Sequence, residues 1–241
     1  MVGFQLGVLA TREIPGIQKA LLKISAAPKG VNMEEELLID QNQYLEEGIH
    51  IATKVKAQGM SRFIYKTRED GLYLLDIKTI DSRIKIAAKT LARYDPSKIM
   101  VRASRIYAIY AAQKFAEVIN AKFLGGRVNA GLFTNPNREG FVEPSLLFIS
   151  DSRNEKQSIN EASKINIPII ALNDTDNSTK YIDLIVPVNN RGRRSLAFIY
   201  FLLAREVLKE RGTIKSNEEF PYKTEDFETK LKRQEENALQ Q

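Results

Sequence analysis

Three aspartates and a larger set of arginines and asparagines fall where apolar runs of this sequence end. SLLFIS leads into Asp151 and Arg153, IPIIAL into Asn173, Asp174 and Asp176, and YIDLIVPV into Asn189, Asn190, Arg191, Arg193 and Arg194. KIMVRAS contains Arg102 and is followed by Arg105. Two chemistries fit these positions. Carboxylates at neighbouring strand ends can hold Mg²⁺ or serve phosphate transfer, which points to an enzyme or small-molecule binder. Asp and Asn also cap helices and shape turns, and for Asp151, Asp174 and Asp176 that plainer role is favoured. Dispersed cations with side-chain amides and a small residue, as in NNRGRR, instead suit neutralisation of a phosphate backbone. Arg191, Arg193 and Arg194 also precede an apolar helical stretch, SLAFIYFLLAREVLKERG. A helix N-terminus already carries about half a positive charge, so these cations need an anion that the local sequence does not contain.

Two further segments carry cations. In SRFIYKTR, residues 61–68, Arg62, Lys66 and Arg68 are expected on one side of an extended segment, with Phe63 and Tyr65 on the other. GGRVNAGLFTNPNREGFVEPS, residues 125–145, carries Arg127, Asn135, Asn137 and Arg138 with two phenylalanines expected to be exposed. Connections longer than about 12–15 residues are usually functional or disordered. No dinucleotide fingerprint, P-loop or nucleophile elbow is present, and GGRVNAG lacks the spacing of the first two. With no cysteine and only His50, thiolate metal sites, cysteine nucleophiles and multi-histidine sites are excluded. No RNP motif, KH loop or recognition-helix pattern indicates base reading.

The elements that position these residues follow from periodicity. LYLLDI reads as a strand, IDSRIKIAAKTLARYDP as a helix with Ile80, Ile84, Ala87, Ala88 and Leu91 on one face, and KIMVRAS as a second strand. IYAIYAAQKFAEVIN is a helix with an alanine-rich stripe; KFL, SLLFIS, IPIIAL and YIDLIVPV are strands; NEKQSINEASKI and the stretch after NNRGRR are helices. Strands alternating with helices predict βαβ units and one open parallel sheet over roughly residues 40–212. Asp40 with Gln43 predicts a capped short helix ending near Gly48. Residues 1–39 form an N-terminal extension, and 213–241 a charged tail with isolated Phe220, Tyr222 and Phe227, expected to be extended until a partner orders it.

The 241 residues carry 36 Lys and Arg against 30 Asp and Glu, a net charge of +6, with a pI near 9.3. From Thr213 onward five basic residues face seven acidic ones, so the tail is −2 and residues 1–212 carry +8. That balance leans toward a polyanionic partner. No apolar run approaches the roughly 18 residues of a membrane span, and the cysteine-free composition suits an intracellular protein.

GIHIATKV, FIYKTREDGLYLLDI, LARYDPSKI, FTNPNREGFVEPSLLFISDSR, IPIIALNDTDN and DLIVPVNNRGRRSLAFIYFLLAREVLKERG together resemble the small-subunit ribosomal protein family whose bacterial member is called S-two and whose eukaryotic member is the SA protein, or laminin-receptor precursor. The resemblance spans Tyr44 to Gly212 and is closest to the archaeal form, because a single ordinary helix separates LLDI from KIMV. It implies a flavodoxin-like, three-layer α/β domain with helices on both faces of a parallel sheet. It further implies a structural, non-enzymatic, cofactor-free component of the cytoplasmic ribosome, contacting small-subunit rRNA and neighbouring ribosomal proteins where head meets body. The matched residues expected to face RNA are Arg62, Lys66, Arg68, Arg102, Arg105, Arg127, Asn135, Arg138, Asn189, Asn190, Arg191, Arg193 and Arg194. No membrane and no small-molecule substrate is expected, and the acidic C-terminal extension of the eukaryotic form is unmatched.

Overall fold

Every side chain of IMVRA, LLFI and IIALN is buried, which strands achieve only when both faces of their sheet are covered. In the computed structural model, which describes residues 37–229, these runs are β3 (Ile99–Ala103), β5 (Leu146–Ile149) and β6 (Ile169–Asn173). With β4 (Lys122–Gly125) and β7 (Leu184–Pro187) they form a five-stranded, all-parallel sheet in the order β4-β3-β5-β6-β7. This is the strand order of flavodoxin-like proteins, with the reversal of direction at β3.

Helices α2 (Ile77–Arg93), α3 (Ile106–Ile119) and α5 (Arg193–Glu210) cover one face and enclose the larger core. Asp76 starts α2 by accepting the Thr79 N–H at 3.2 Å, and the expected stripe from Ile80 to Leu91 is buried. The alanines of α3 let α5 approach closely. Sandwiched between α2 and α3, α5 buries nearly its whole surface, including Arg205, which pairs with Glu206 at 3.0 Å. Among the described residues, the opposite face carries α4 (Lys156–Lys164) and the connection after β4.

That connection stands where a helix is missing. Leu132 and Phe133 are buried against Met100, Leu147 and Ile159, so Phe133 is core rather than exposed. Glu161 of α4 holds the segment by accepting the N–H groups of Gly131 at 2.8 Å and Phe133 at 3.1 Å. Burial alone would raise the Glu161 pKa, but hydrogen bonds from Gln157, Gly131 and Phe133 outweigh it and hold it below its ordinary value.

Four expectations are corrected. LYLLDI does not join the main sheet: β2 (Tyr73–Leu75) pairs only with β1 (Ile64–Thr67), antiparallel. Gln58–Phe63 is a 3₁₀ turn, not an extended segment, so Phe63 is buried while Tyr65 is 76 % exposed. Among the described residues, Tyr65, Lys66 and Thr67 of β1 are exposed. Helix α1 (Gln41–Glu46) forms, but Asp40 makes no capping bond to it and instead accepts from the Asn42 amide at 3.1 Å. The described part of the tail is not free: Ile214, Phe220 and Phe227 are buried, with Phe220 against Phe201 at 5.4 Å between centroids. An apolar outer side of α5 demands that cover. Residues 1–36 and 230–241 lie outside the described residues.

Replacing Glu161 with Ala removes the acceptor for two main-chain N–H groups. We expect a loss of roughly 1–3 kcal/mol in chemical denaturation and faster amide exchange at Gly131 and Phe133. Exchange at those amides indistinguishable from the parent chain would refute the tether.

Candidate nucleic-acid interface

All five strands of the main sheet run in parallel, so their carboxyl ends meet along one edge. The β7–α5 joint is closed there by NNRG. Asn190 is fully buried and donates from Nδ2 to the carbonyls of Ser150 at 3.2 Å and Leu172 at 3.0 Å, fastening the ends of β5 and β6 together. The Asn189 Oδ1 accepts the Arg191 and Gly192 N–H groups at 3.0 and 3.2 Å, and its main-chain carbonyl accepts from Ser195 Oγ at 2.7 Å. Both asparagines, expected to face RNA, spend their amides inside the fold. The chain between Ile49 and Ala57 lies across the same edge, through Asn189 N–H to the Ile49 carbonyl at 2.9 Å and Ala57 N–H to the Thr175 carbonyl at 2.7 Å.

The three aspartates answer the cations. Asp151 is buried and pairs with Arg105 at 2.6 Å, while its other oxygen accepts from the Arg153 N–H and the Asn177 amide, each at 2.9 Å. Asp176 pairs with Arg153 at 2.7 Å and with Arg191, which also reaches Asp174 at 3.5 Å. Arg193 finds Glu228 of the tail at 2.8 Å. Burial pushes the Asp174 carboxyl up to about 6, a shift opposed by the Thr175 N–H, reinforced by Asp176 and opposed by Arg191. The carboxylates are thus internal counter-ions. Among the described residues, no group of three or more His, Cys, Asp or Glu is placed to hold a metal ion.

Arg102 also departs from expectation. It is 3 % exposed, and its Nη atoms donate to the carbonyls of Ala103, Leu124 and Gly126, tying the turn after β4 to β3. A side chain so committed is not a surface phosphate contact. Arg138 is half-buried and donates to the carbonyls of Asn129 and Ala130, and Asn135 folds onto the Asn137 N–H at 3.1 Å. Beside Arg102 lies Glu155, 1 % exposed. Its burial pushes the carboxyl up to about 8; Arg102 opposes the shift, Asp151 adds to it, and the Asp151 and Ser104 hydrogen bonds oppose it.

Of the cations predicted to face RNA, those left at the surface without a buried partner are Arg62 in the 3₁₀ turn, Lys66 and Arg68 on the β1–β2 hairpin, Arg127 after β4, and Arg194 at the start of α5. Arg62 lies over the ring of Phe63, 4.7 Å from its centroid. Arg68 meets Asp70 at 3.1 Å with both side chains more than half exposed, a pairing worth little in water. Lys54 and Lys56 are exposed in the segment leading to the hairpin, with Lys56 over Tyr73. The alternation KVK, close to SRFIYKTR, was the signal for these two.

The chain is thus a flavodoxin-like α/β protein whose strand-end aspartates pair with its own arginines, with Arg62, Lys66 and Arg68 exposed beside them. Comparison with known proteins makes this specific. The family model described as Ribosomal protein S2 matches residues 136–210. Small ribosomal subunit protein uS2 of Thermoplasma acidophilum is 48% identical over 199 residues, covering 83% of this chain and 100% of that protein. The uS2 proteins of Thermofilum pendens and Saccharolobus solfataricus are 49% and 47% identical, covering 83% and 81% of this chain and 93% and 85% of their own lengths. The chain belongs to the ribosomal protein S2 (uS2) family.

Glu155 provides a pH test. Its native pKa of about 8 lies above its ordinary value of 4.5, so the native state keeps a proton that the unfolded chain releases. The associated stability is complete below about 4.5, declines as pH rises, and is gone above about 8. Glu155→Gln, which still accepts from Ser104, should therefore flatten the fall in stability between pH 5 and 8. Equal slopes for the two proteins in urea titrations across this range would contradict a buried neutral Glu155.

Proposed function

We propose that this chain is a structural constituent of the small ribosomal subunit, binding small-subunit rRNA and neighbouring ribosomal proteins at the head–body junction in the cytoplasm. The observation that carries this reading is identity of 47–49% over nearly the whole length of relatives named small ribosomal subunit protein uS2. The fold agrees in a physical sense. Its charged groups are arranged to hold an edge rigid and to present cations, and no described helix is long and apolar enough to cross a membrane.

On this reading residues 40–212 are the RNA-facing α/β domain, 1–39 an N-terminal arm, and 213–241 a charged tail whose described part is packed on α5. Arg62, Lys66, Arg68, Arg127 and Arg194 make the primary phosphate contacts. Arg105, Arg191 and Arg193 hold internal partners and contribute field rather than direct bonds, unless RNA displaces their carboxylates. Lys54 and Lys56 extend the hairpin's footprint. Backbone contacts of this kind give affinity and position, without base specificity.

Two measurements test the reading. Tagged protein in native lysate should sediment with small subunits on sucrose gradients, remain with them when Mg²⁺ depletion separates the subunits, and leave that peak after nuclease treatment. Slow, nuclease-insensitive sedimentation in every condition would sink the assignment. Substituting Arg62, Lys66 and Arg68 together by Ala should weaken binding to small-subunit rRNA and flatten the log–log salt dependence by about 0.7–0.9 per lost phosphate contact. A salt slope equal to that of the parent chain would exclude the hairpin as a contact.

A further inference from the structure

Three aromatic side chains lie on or beside the β1–β2 hairpin, and the fold uses two of them. Phe63 is buried, with the guanidinium groups of Arg62 and Arg83 over its ring, 4.7 and 5.5 Å from the centroid. Tyr73 is half-buried, packs against the core and has the Lys56 ammonium group 5.5 Å from its ring centroid. Tyr65 is different. At 76 % it is the most exposed large apolar side chain among the described residues.

The backbone places it there. Leu75 is buried and Tyr73 packs on the core, so Leu74 between them lies on the outer face of the hairpin. The register of β1 against β2 runs Ile64 to Leu75 and then Lys66 to Leu74, which makes Tyr65 an extra residue in β1. Such a bulge re-aims side chains. Where neighbours on a regular strand face opposite sides, Tyr65 and Lys66 are both exposed. Ile51 bridges to Leu74 from its other side, so half-buried Ile51 and Leu74 lie on the face that carries an open phenol ring and an ammonium group. Arg62 precedes this strip, Arg68 follows it and Lys54 lies three residues after Ile51, all exposed. The acids Glu69 and Asp70 fall in the turn beyond Arg68, which pairs with Asp70 at 3.1 Å.

One exposed apolar side chain is ordinary, and cations alone would ask only for phosphate. A ring and cations together on one bulged face ask for a flat apolar surface flanked by negative charge. Bases in a duplex hide their faces within the stack, whereas an unpaired nucleotide offers base and phosphate together, and aromatic side chains on sheet surfaces stack such bases. We propose that Tyr65 is the stacking platform for an unpaired nucleobase of small-subunit rRNA, with Arg62, Lys66 and Arg68 at the flanking phosphates. The inference rests on the reading of this hairpin as an RNA contact and adds the kind of RNA recognised: a bulged or single-stranded nucleotide rather than a duplex.

The test uses the full chain and small-subunit rRNA. Because the ring is uncharged, Tyr65→Ala should weaken binding about 5- to 100-fold and leave the log–log salt slope at the parent value. Tyr65→Phe should bind as the parent does, and Tyr65→Leu as weakly as Tyr65→Ala. The side chain is exposed, so all three variants should keep the parent's urea midpoint. The sequence has no tryptophan, which makes Tyr65→Trp a single reporter: a single-stranded decaadenylate should quench its fluorescence saturably, and a ten-base-pair RNA duplex should not. Parent-like affinity of Tyr65→Ala or Tyr65→Leu, or equal quenching by duplex and single strand, would overturn the stacking. Parent-like rRNA affinity of Tyr65→Ala combined with lost incorporation into subunits would overturn it too, and would assign the ring to a protein neighbour. The two readings fail separately: an unchanged salt slope in the triple Arg62, Lys66 and Arg68 variant removes the hairpin contact itself, whereas a lowered slope with a silent Tyr65→Ala removes only the stacking.

Discussion

A buried helix that begins with arginines is electrostatically unfavourable unless the fold brings anions to it, and meeting that demand organises much of this molecule. The N-terminus of α5 follows Arg191 and begins at Arg193. Their counter-charges arrive from two different places: Asp174 and Asp176 from the end of β6, and Glu228 from the tail. Because Asp176 also takes Arg153, and Asp151 takes Arg105, the pairs run along the ends of β3, β5 and β6. Removing one partner from such a set leaves a buried charge exposed to the low dielectric of the interior, which costs far more than a surface pair contributes.

The same principle separates structural from presented charge. Arg102 and Asn190 lie at strand ends, where ligands of open sheets gather, yet both are buried and consumed by carbonyls. They brace the edge. On the hairpin β1–β2, by contrast, Lys66 and Arg68 are exposed. Structural charge lies inside the edge and exposed charge beside it.

The two faces of the sheet reach closure by different means. Three helices cover one, and a single helix with an irregular segment covers the other, where Phe133 supplies the apolar mass and Glu161 the hydrogen bonds that a helix would have provided internally. The tail does comparable work on the helical face, where Phe220 and Phe227 finish the cover of α5.

Strands and helices of the main sheet were legible in the sequence because their signals are local. An unbroken run such as LLFI must be buried on both sides, and the stripe Ile80–Leu91 has helical period. The family resemblance was legible for the same reason, being carried by contiguous segments. What the sequence could not determine was the fate of each charge. Whether Arg191 faces RNA or Asp176, whether Arg193 meets Glu228 thirty-five residues later, and whether Arg102 reaches solvent or the Leu124 carbonyl depend on groups that only folding brings together. Only the tertiary structure decided those, because hydrogen bonds and ion pairs act over about 3 Å while the partners lie tens of residues apart along the chain.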